Sequence, residues 1–261
     1  MIGVWKKFFF VVFCSGLGLG LGAKPKGIFR PRLTPIGENQ KLYRDLLSDP
    51  DISILVGLGP AGCGKTAFAC HAAASALSSG LVDRIVITRP TVAVDEELGF
   101  LPGSLERKMD PWIRPVMDVL GEFYTGGEIR RLIDDGVVEI APLAYMRGRT
   151  FRRSFLIADE MQNSSPNQML MMLTRIGEES KLVITGDLLQ SDRPGKNGLA
   201  DFYERLQVRG DSVDNIRLIQ FDVADVQRSP VVASILRMYE NPLRLRGNED
   251  SAIIPKFLDS L

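Results

Sequence analysis

The densest chemistry in the sequence lies in Gly59-Pro60-Ala61-Gly62-Cys63-Gly64-Lys65-Thr66, where glycines precede a lysine and a hydroxyl. Glycines let a chain fold its backbone N–H groups around phosphate oxygens, and the lysine supplies a cation that reaches β- and γ-phosphates. Thr66 offers the hard oxygen that a magnesium ion takes. The spacing G-x-x-x-x-G-K-[ST] gains weight from its context. An apolar run precedes it and a helical pattern ending near Gly80 follows, so a helix N-terminus adds partial positive charge. All eight residues are therefore candidate nucleotide contacts.

Two more apolar runs end in polar residues. Phe155-Leu156-Ile157-Ala158 leads into Asp159 and Glu160. Phosphoryl transfer to water needs one carboxylate for the metal and a second to orient and polarise the attacking water, which assigns Asp159 to magnesium and Glu160 to the base. Solvated turn acids are the plain alternative, weakened by the phosphate loop upstream. Thr185-Gly186-Asp187-Leu188-Leu189-Gln190 follows the next run. The neutral amide of Gln190 can donate to a phosphate oxygen and accept from water, so it is a candidate γ-phosphate sensor, with an ordinary loop residue as the alternative. Cys63 sits where backbone amides could depress a thiol pKa and make it oxidisable, although a small residue simply fits there. Cys70 and His71, set among alanines, read as packing or surface residues.

These residues need a scaffold that sets strand ends side by side. Apolar, β-rich runs at 52–57, 84–88, 137–141, 154–158, 181–185 and 216–221 alternate with helical patterns, the signature of a parallel sheet with crossover helices. Runs such as Leu182-Val183-Ile184 imply burial on both faces, so the expected class is α/β, a mostly parallel sheet with helices on both faces. Ligands of such sheets sit beyond the carboxyl ends of the strands, where the motifs above fall. Residues 91–135, with Pro102, Pro111, Trp112, Pro115 and Gly126-Gly127, interrupt the alternation. They read as an insertion on the catalytic face or as a helical subdomain packed over the sheet.

At 261 residues, 45% hydrophobic and 25% charged, the chain suits one α/β core rather than two full domains. Its 32 basic and 32 acidic side chains cancel, so nucleic acid would have to be held by a local patch rather than by bulk charge. Cys14, Cys63 and Cys70 form no CxxC pair and His71 is the single histidine, which points away from a zinc cluster or a disulfide framework. The expected plan is a tail over 1–23, a basic linker over 24–37, a folded domain over 38–243 and a C-terminal tail over 244–261. Lys6 and Lys7 before the apolar run from Phe8 to Leu21, closed by Gly22-Ala23, have the layout of a targeting signal. The run is short and glycine-rich for a membrane span, which wants about 20 apolar residues, so no stable membrane insertion is expected. A partner-binding tail is the third alternative.

Together these motifs resemble the PhoH-like family of phosphate-starvation-inducible ATPases, related to the core lobe of superfamily-one helicases. The resemblance runs over roughly residues 28 to 240. Besides the glycine loop it is carried by Asn39-Gln40, Ile87-Thr88-Arg89-Pro90, Leu98-Gly99-Phe100-Leu101-Pro102-Gly103, Met146-Arg147-Gly148-Arg149-Thr150-Phe151, Asp159-Glu160-Met161-Gln162-Asn163, Thr185-Gly186-Asp187 and Asp225-Val226-Gln227-Arg228-Ser229-Pro230. Met161, Ser229 and Cys63 depart from the alanine, histidine and threonine usual in that family.

The resemblance implies a RecA-like P-loop NTPase with ATP and magnesium as cofactors, hydrolysis of ATP, and coupling to single-stranded RNA or another nucleic acid. It makes Gln40 an adenine contact and Arg228 an arginine reaching a γ-phosphate. An arginine suits that role because charge builds on the equatorial oxygens during transfer; a helix-start arginine before Pro230 is the alternative. A single motor lobe is expected to need a neighbouring copy, hence a homo-oligomer such as a ring with Arg228 acting across the interface. Arg147, Arg149, Arg152 and Arg153 around Phe151 are the expected nucleic-acid patch, extended by Arg30 and Arg32. A need for ATP places such a protein in the cytoplasm, or in an organelle if 1–23 is a targeting segment. A nucleotide-dependent switch with little turnover and a P-loop small-molecule kinase are the competing functions.

Overall fold

Alternation along the strands sets the layering. A computed structural model describes residues 33–90, 117–191, 195–209, 214–226 and 231. Its strands are β1 (Ile54–Leu58), β2 (Arg84–Arg89), β3 (Val138–Pro142), β4 (Ser154–Ala158), β5 (Lys181–Gly186) and β6 (Ile216–Gln220). Leu55, Phe155, Ile157 and Val183 face one core, while Ile54, Val56, Leu58, Leu156, Ala158, Leu182 and Ile184 face the other. Every residue of β1 and β4 is buried, as expected of strands covered on both faces.

The strands form one sheet in the order β3-β2-β4-β5-β1-β6, and every pairing is parallel. This is the expected α/β fold, a RecA-like P-loop architecture, with the strand runs read from sequence displaced by at most two residues at either end. β5 lies between β1 and β4, an arrangement that hydropathy alone does not specify.

Helices cover both faces. On the first core lie Tyr43 and Leu47 of α1 (Glu38–Ser48), Phe68, Ala69 and Ala73 of α2 (Lys65–Ser78), and Ile129 and Leu132 of α3 (Gly126–Asp134). On the second lie Met169 and Met172 of α4 (Pro166–Leu173) and Leu199 of α5 (Gly198–Arg209). Ser165 opens α4 with a capping box, its hydroxyl accepting from Gln168 N while Gln168 Oε1 accepts from Ser165 N. Gly198 begins α5 against the turn before α4: its N–H donates to Ser164 O at 2.7 Å, and a Cβ there would lie 2.5 Å from Ser165 O.

Of the expected insertion, 91–116 lies outside the described residues. Its remainder is helical at 117–121 and in α3, and Leu120, Phe123 and Tyr124 join the first core, so this part packs over the sheet. His71 packs edge-on against Phe123, with ring centroids 5.3 Å apart. Leu33, within the stretch expected as linker, also packs on the first core. Among the described residues no helix is long and apolar enough to cross a membrane.

One lysine closes α1 from the far end of the sheet. Lys181 Nζ donates to the carbonyls of Leu46, Leu47 and Asp49 at 3.1, 2.8 and 2.7 Å, taking up acceptors that a helix end leaves orphaned. Burial pushes its pKa down to about 8, with Asp49 pulling the other way. Lys181→Met keeps the apolar stem but removes these donors, and urea denaturation should show a loss of about 1–3 kcal/mol; an unchanged midpoint would exclude this anchoring role.

Candidate nucleotide site

The phosphate loop leaves β1 and turns directly into α2, whose N-cap is Gly64 at φ 91°. Gly59 has φ 143°, and a Cβ there would lie 2.7 Å from Phe221 O, so the start of the loop is pressed onto the residue after β6. Gly59 N donates to Gly186 O at 3.1 Å, tying the loop to the end of β5. Ala61 and Gly62 form the exposed rim. Lys65, only 9% exposed, crosses the inside of the loop and donates from Nζ to Gly59 O at 2.6 Å and Pro60 O at 2.8 Å.

Cys63 is the small, fitting residue of the two readings rather than an activated thiol. It is buried, its Sγ donates to Pro60 O at 3.1 Å, and burial raises its pKa against the opposing pull of Lys65. A thiol held protonated and out of solvent is inert rather than reactive.

Asp159, 7% exposed, stands at the end of β4. Its Oδ1 accepts from Thr66 Oγ1 at 2.8 Å and from Thr185 Oγ1 at 2.5 Å, and its N–H donates to Thr88 O at 2.9 Å. Two strand spacings, about 10 Å, separate β1 from β4. Thr185, on the strand between them, fills that gap. Thr66 and Asp159 thus put a hydroxyl and a carboxylate oxygen side by side, the hard donors that suit magnesium.

Glu160 follows in the left-handed region, φ 54° and ψ 41°. For a residue with a Cβ that conformation costs on the order of 1–3 kcal/mol, and it persists where surrounding contacts over-determine it. Here Arg89 Nη2 lies 3.5 Å from Glu160 Oε1, and Gln162 Nε2 donates to Oε2 at 2.5 Å. Arg89 ends β2 beside β4, which brings its cation to the same edge.

Gln40 is 1% exposed, with Nε2 donating to Cys63 O at 3.2 Å and Oε1 accepting from Ile36 N at 3.0 Å. In this arrangement it braces the loop from α1. Tyr43 OH, one turn on, donates to Lys65 O at 3.4 Å. Asp187 is buried and closes its own turn by accepting from Leu189 N at 2.9 Å, while Gln190 is exposed beyond β5. Arg228 lies outside the described residues, as do Leu98–Gly103 of the family pattern, Arg30 and Arg32.

The expected arginine patch is divided in the structure. Phe151 is 3% exposed, so it offers no face to a base. Arg149 lies over that ring at 4.5 Å and grips Glu139 bidentately at 2.5 and 2.7 Å, which lowers the Glu139 pKa chiefly through that hydrogen bond. Arg153 pairs with Asp83 at 2.9 Å and Glu179 at 2.6 Å near the amino ends of β2 and β4, away from the phosphate loop. Arg147 and Arg152 remain exposed. Arg147 follows the exposed Tyr145 by two positions.

Thr185, Gln162, Arg89 and Tyr43 received no individual role from sequence. The first three do stand in short motifs at strand ends, which was a usable signal. Tyr43 gave none beyond its place on an amphipathic helix.

The PhoH-like protein family matches residues 32–240. A PhoH-like protein of Bacillus subtilis (strain 168) is 47% identical over 189 residues, covering 72% of this chain and 58% of that protein. A PhoH-like protein of Mycobacterium tuberculosis (strain ATCC 25618 / H37Rv) is 43% identical over 203 residues, covering 77% of this chain and 56% of its own. Protein PhoH of Escherichia coli (strain K12) is 40% identical over 190 residues, covering 71% and 52%. The chain thus spans little more than half the length of these relatives. The match over most of the chain and relatives 40% to 47% identical, together with an all-parallel α/β sheet consistent with a P-loop fold, show that the chain belongs to the PhoH-like protein family.

Proposed function

We propose that this chain binds ATP with magnesium and hydrolyses it, and that hydrolysis is coupled to single-stranded RNA. The observation that carries the proposal is the meeting of Thr66 and Asp159 at 2.8 Å beside Lys65, with Glu160 on the next residue. Lys65 and the loop N–H groups, from Gly59 to Thr66, grip the phosphates, and α2 presents its positive end. Thr66 and Asp159 would hold a magnesium ion, which would supply charge neutralisation for phosphoryl transfer. Glu160 orients a water and accepts its proton. Gln190 contacts the γ-phosphate or that water, and Arg228 a γ-phosphate, within the chain or across an interface between copies in a homo-oligomer; Gln40 must turn out of its brace to Cys63 O and Ile36 N to contact the adenine. ATP as fuel places the protein in the cytoplasm or in an ATP-containing organelle.

Support for RNA is the family resemblance together with Arg147 and Tyr145, an exposed cation and an exposed ring just past the carboxyl end of β3. Scattering by the protein with an ATP analogue tests assembly: a persistent monomer excludes the oligomer.

Phosphate release by the full chain tests hydrolysis. Lys65→Ala should remove nucleotide binding, whereas Glu160→Gln should keep binding and lower kcat by about 100- to 10,000-fold. Stoichiometric binding by the wild type without turnover, even with RNA, would replace this proposal by a nucleotide switch. For the nucleic-acid arm, Arg147→Ala should weaken binding to a single-stranded oligouridine and flatten log K against log salt by about 0.7 to 1. An unaltered slope would remove Arg147 from the interface.

A further inference from the structure

Glu160 is held from two sides, and one of its holders reaches further. Gln162 is 3% exposed and uses both ends of its amide: Nε2 donates to Glu160 Oε2 at 2.5 Å, and Oε1 accepts from Asp187 N at 3.2 Å. The orientation is fixed by the partners, because a carboxylate only accepts and a backbone N–H only donates. Ser191 Oγ adds a bond to Gln162 O at 3.1 Å. Gly186 has no side chain at the contact, where a Cβ would lie 2.6 Å from Gln162 Oε1. Gly186 O in turn accepts from Gly59 N, the first residue of the phosphate loop. A continuous path therefore runs from the carboxylate after β4, through one amide, to the loop after β5 and on to the phosphate loop.

We propose that Gln162 is a positioning residue for hydrolysis, which registers the Glu160 carboxylate against the loop carrying Asp187 and Gln190. This rests on the hydrolytic function proposed above. Only an amide joins an acceptor on one side to a donor on the other at this length. Glutamate in its place sets carboxylate against carboxylate, and leucine loses both bonds while keeping the volume. The nucleotide contacts of Lys65 and Thr66 are left intact by either change, so the effect should fall on the chemical step rather than on binding.

The test uses the full chain with Gln162→Leu, Gln162→Glu and the swapped pair Glu160→Gln/Gln162→Glu. Phosphate release should show kcat lowered about 10- to 100-fold in both single variants. KM and the affinity for a fluorescent ATP analogue should stay within about twofold. Gln162→Glu should also melt at a lower temperature, and the swap should recover that loss, because the exchanged pair again joins an amide to a carboxylate. Nucleotide affinity falling as far as kcat, or a swap that recovers nothing, would overturn the proposal. A wild type that binds ATP without releasing phosphate overturns the hydrolytic function and the positioning role with it, whereas an active wild type with unaffected variants overturns the positioning role alone.

Discussion

Two threonine hydroxyls on one carboxylate oxygen hold the candidate site together. Thr66 comes from the first turn of α2 and Thr185 from the end of β5, and both donate to Asp159 Oδ1. A carboxylate taken out of water costs several kcal/mol unless hydrogen bonds replace its hydration. Those hydroxyls, and the strand order that delivers them, make a buried Asp159 tolerable. The local order β4-β5-β1 is what keeps this contact. With β1 next to β4 there would be no strand end to carry Thr185, and with a second strand between them Thr66 would fall short.

The second organising constraint is the brace beneath the phosphate loop. A loop built on glycines has little to hold its shape by itself, since each glycine gives up more backbone freedom than any other residue. Rigidity comes from outside: Gln40 and Tyr43 of α1 bond to Cys63 O and Lys65 O, Phe221 closes on Gly59, and Gly186 accepts from it. Tyr43 and Phe221 meet edge to face at 5.3 Å, so the braces from α1 and from β6 also support each other.

Much of this was legible in the sequence for identifiable reasons. Strands buried on both faces leave unbroken apolar runs, and their carboxyl ends then point to Gly59–Thr66, Asp159, Glu160 and Thr185 without further information. Partnership across the sheet was not legible. Nothing local to Arg149 says that it will grip Glu139, ten positions earlier on β3, or that Arg153 will find Asp83 and Glu179. Phe151 reads in sequence as an aromatic among cations, yet the chain carries it under the sheet, where its N–H and C=O pair with Arg175 and Gly177. Neighbours in sequence were drawn to different partners, Arg149 to β3 and Arg153 to the residues that precede β2 and β5. Gln162 was visible as part of a motif, but the double use of its amide depends on where β5 ends relative to β4.

The contact of Gly198 with Ser164 and Ser165 bears on how strain travels. A backbone bond at 2.7 Å and the lack of room for even a methyl group weld the start of α5 to the segment that joins Glu160 to α4. Close-packed matter of this kind is stiff, and it passes a displacement on rather than absorbing it. Any side chain at position 198, even a single methyl group, must therefore part the start of α5 from Ser164 and Ser165, so that Gly198 is the rivet between the two helices.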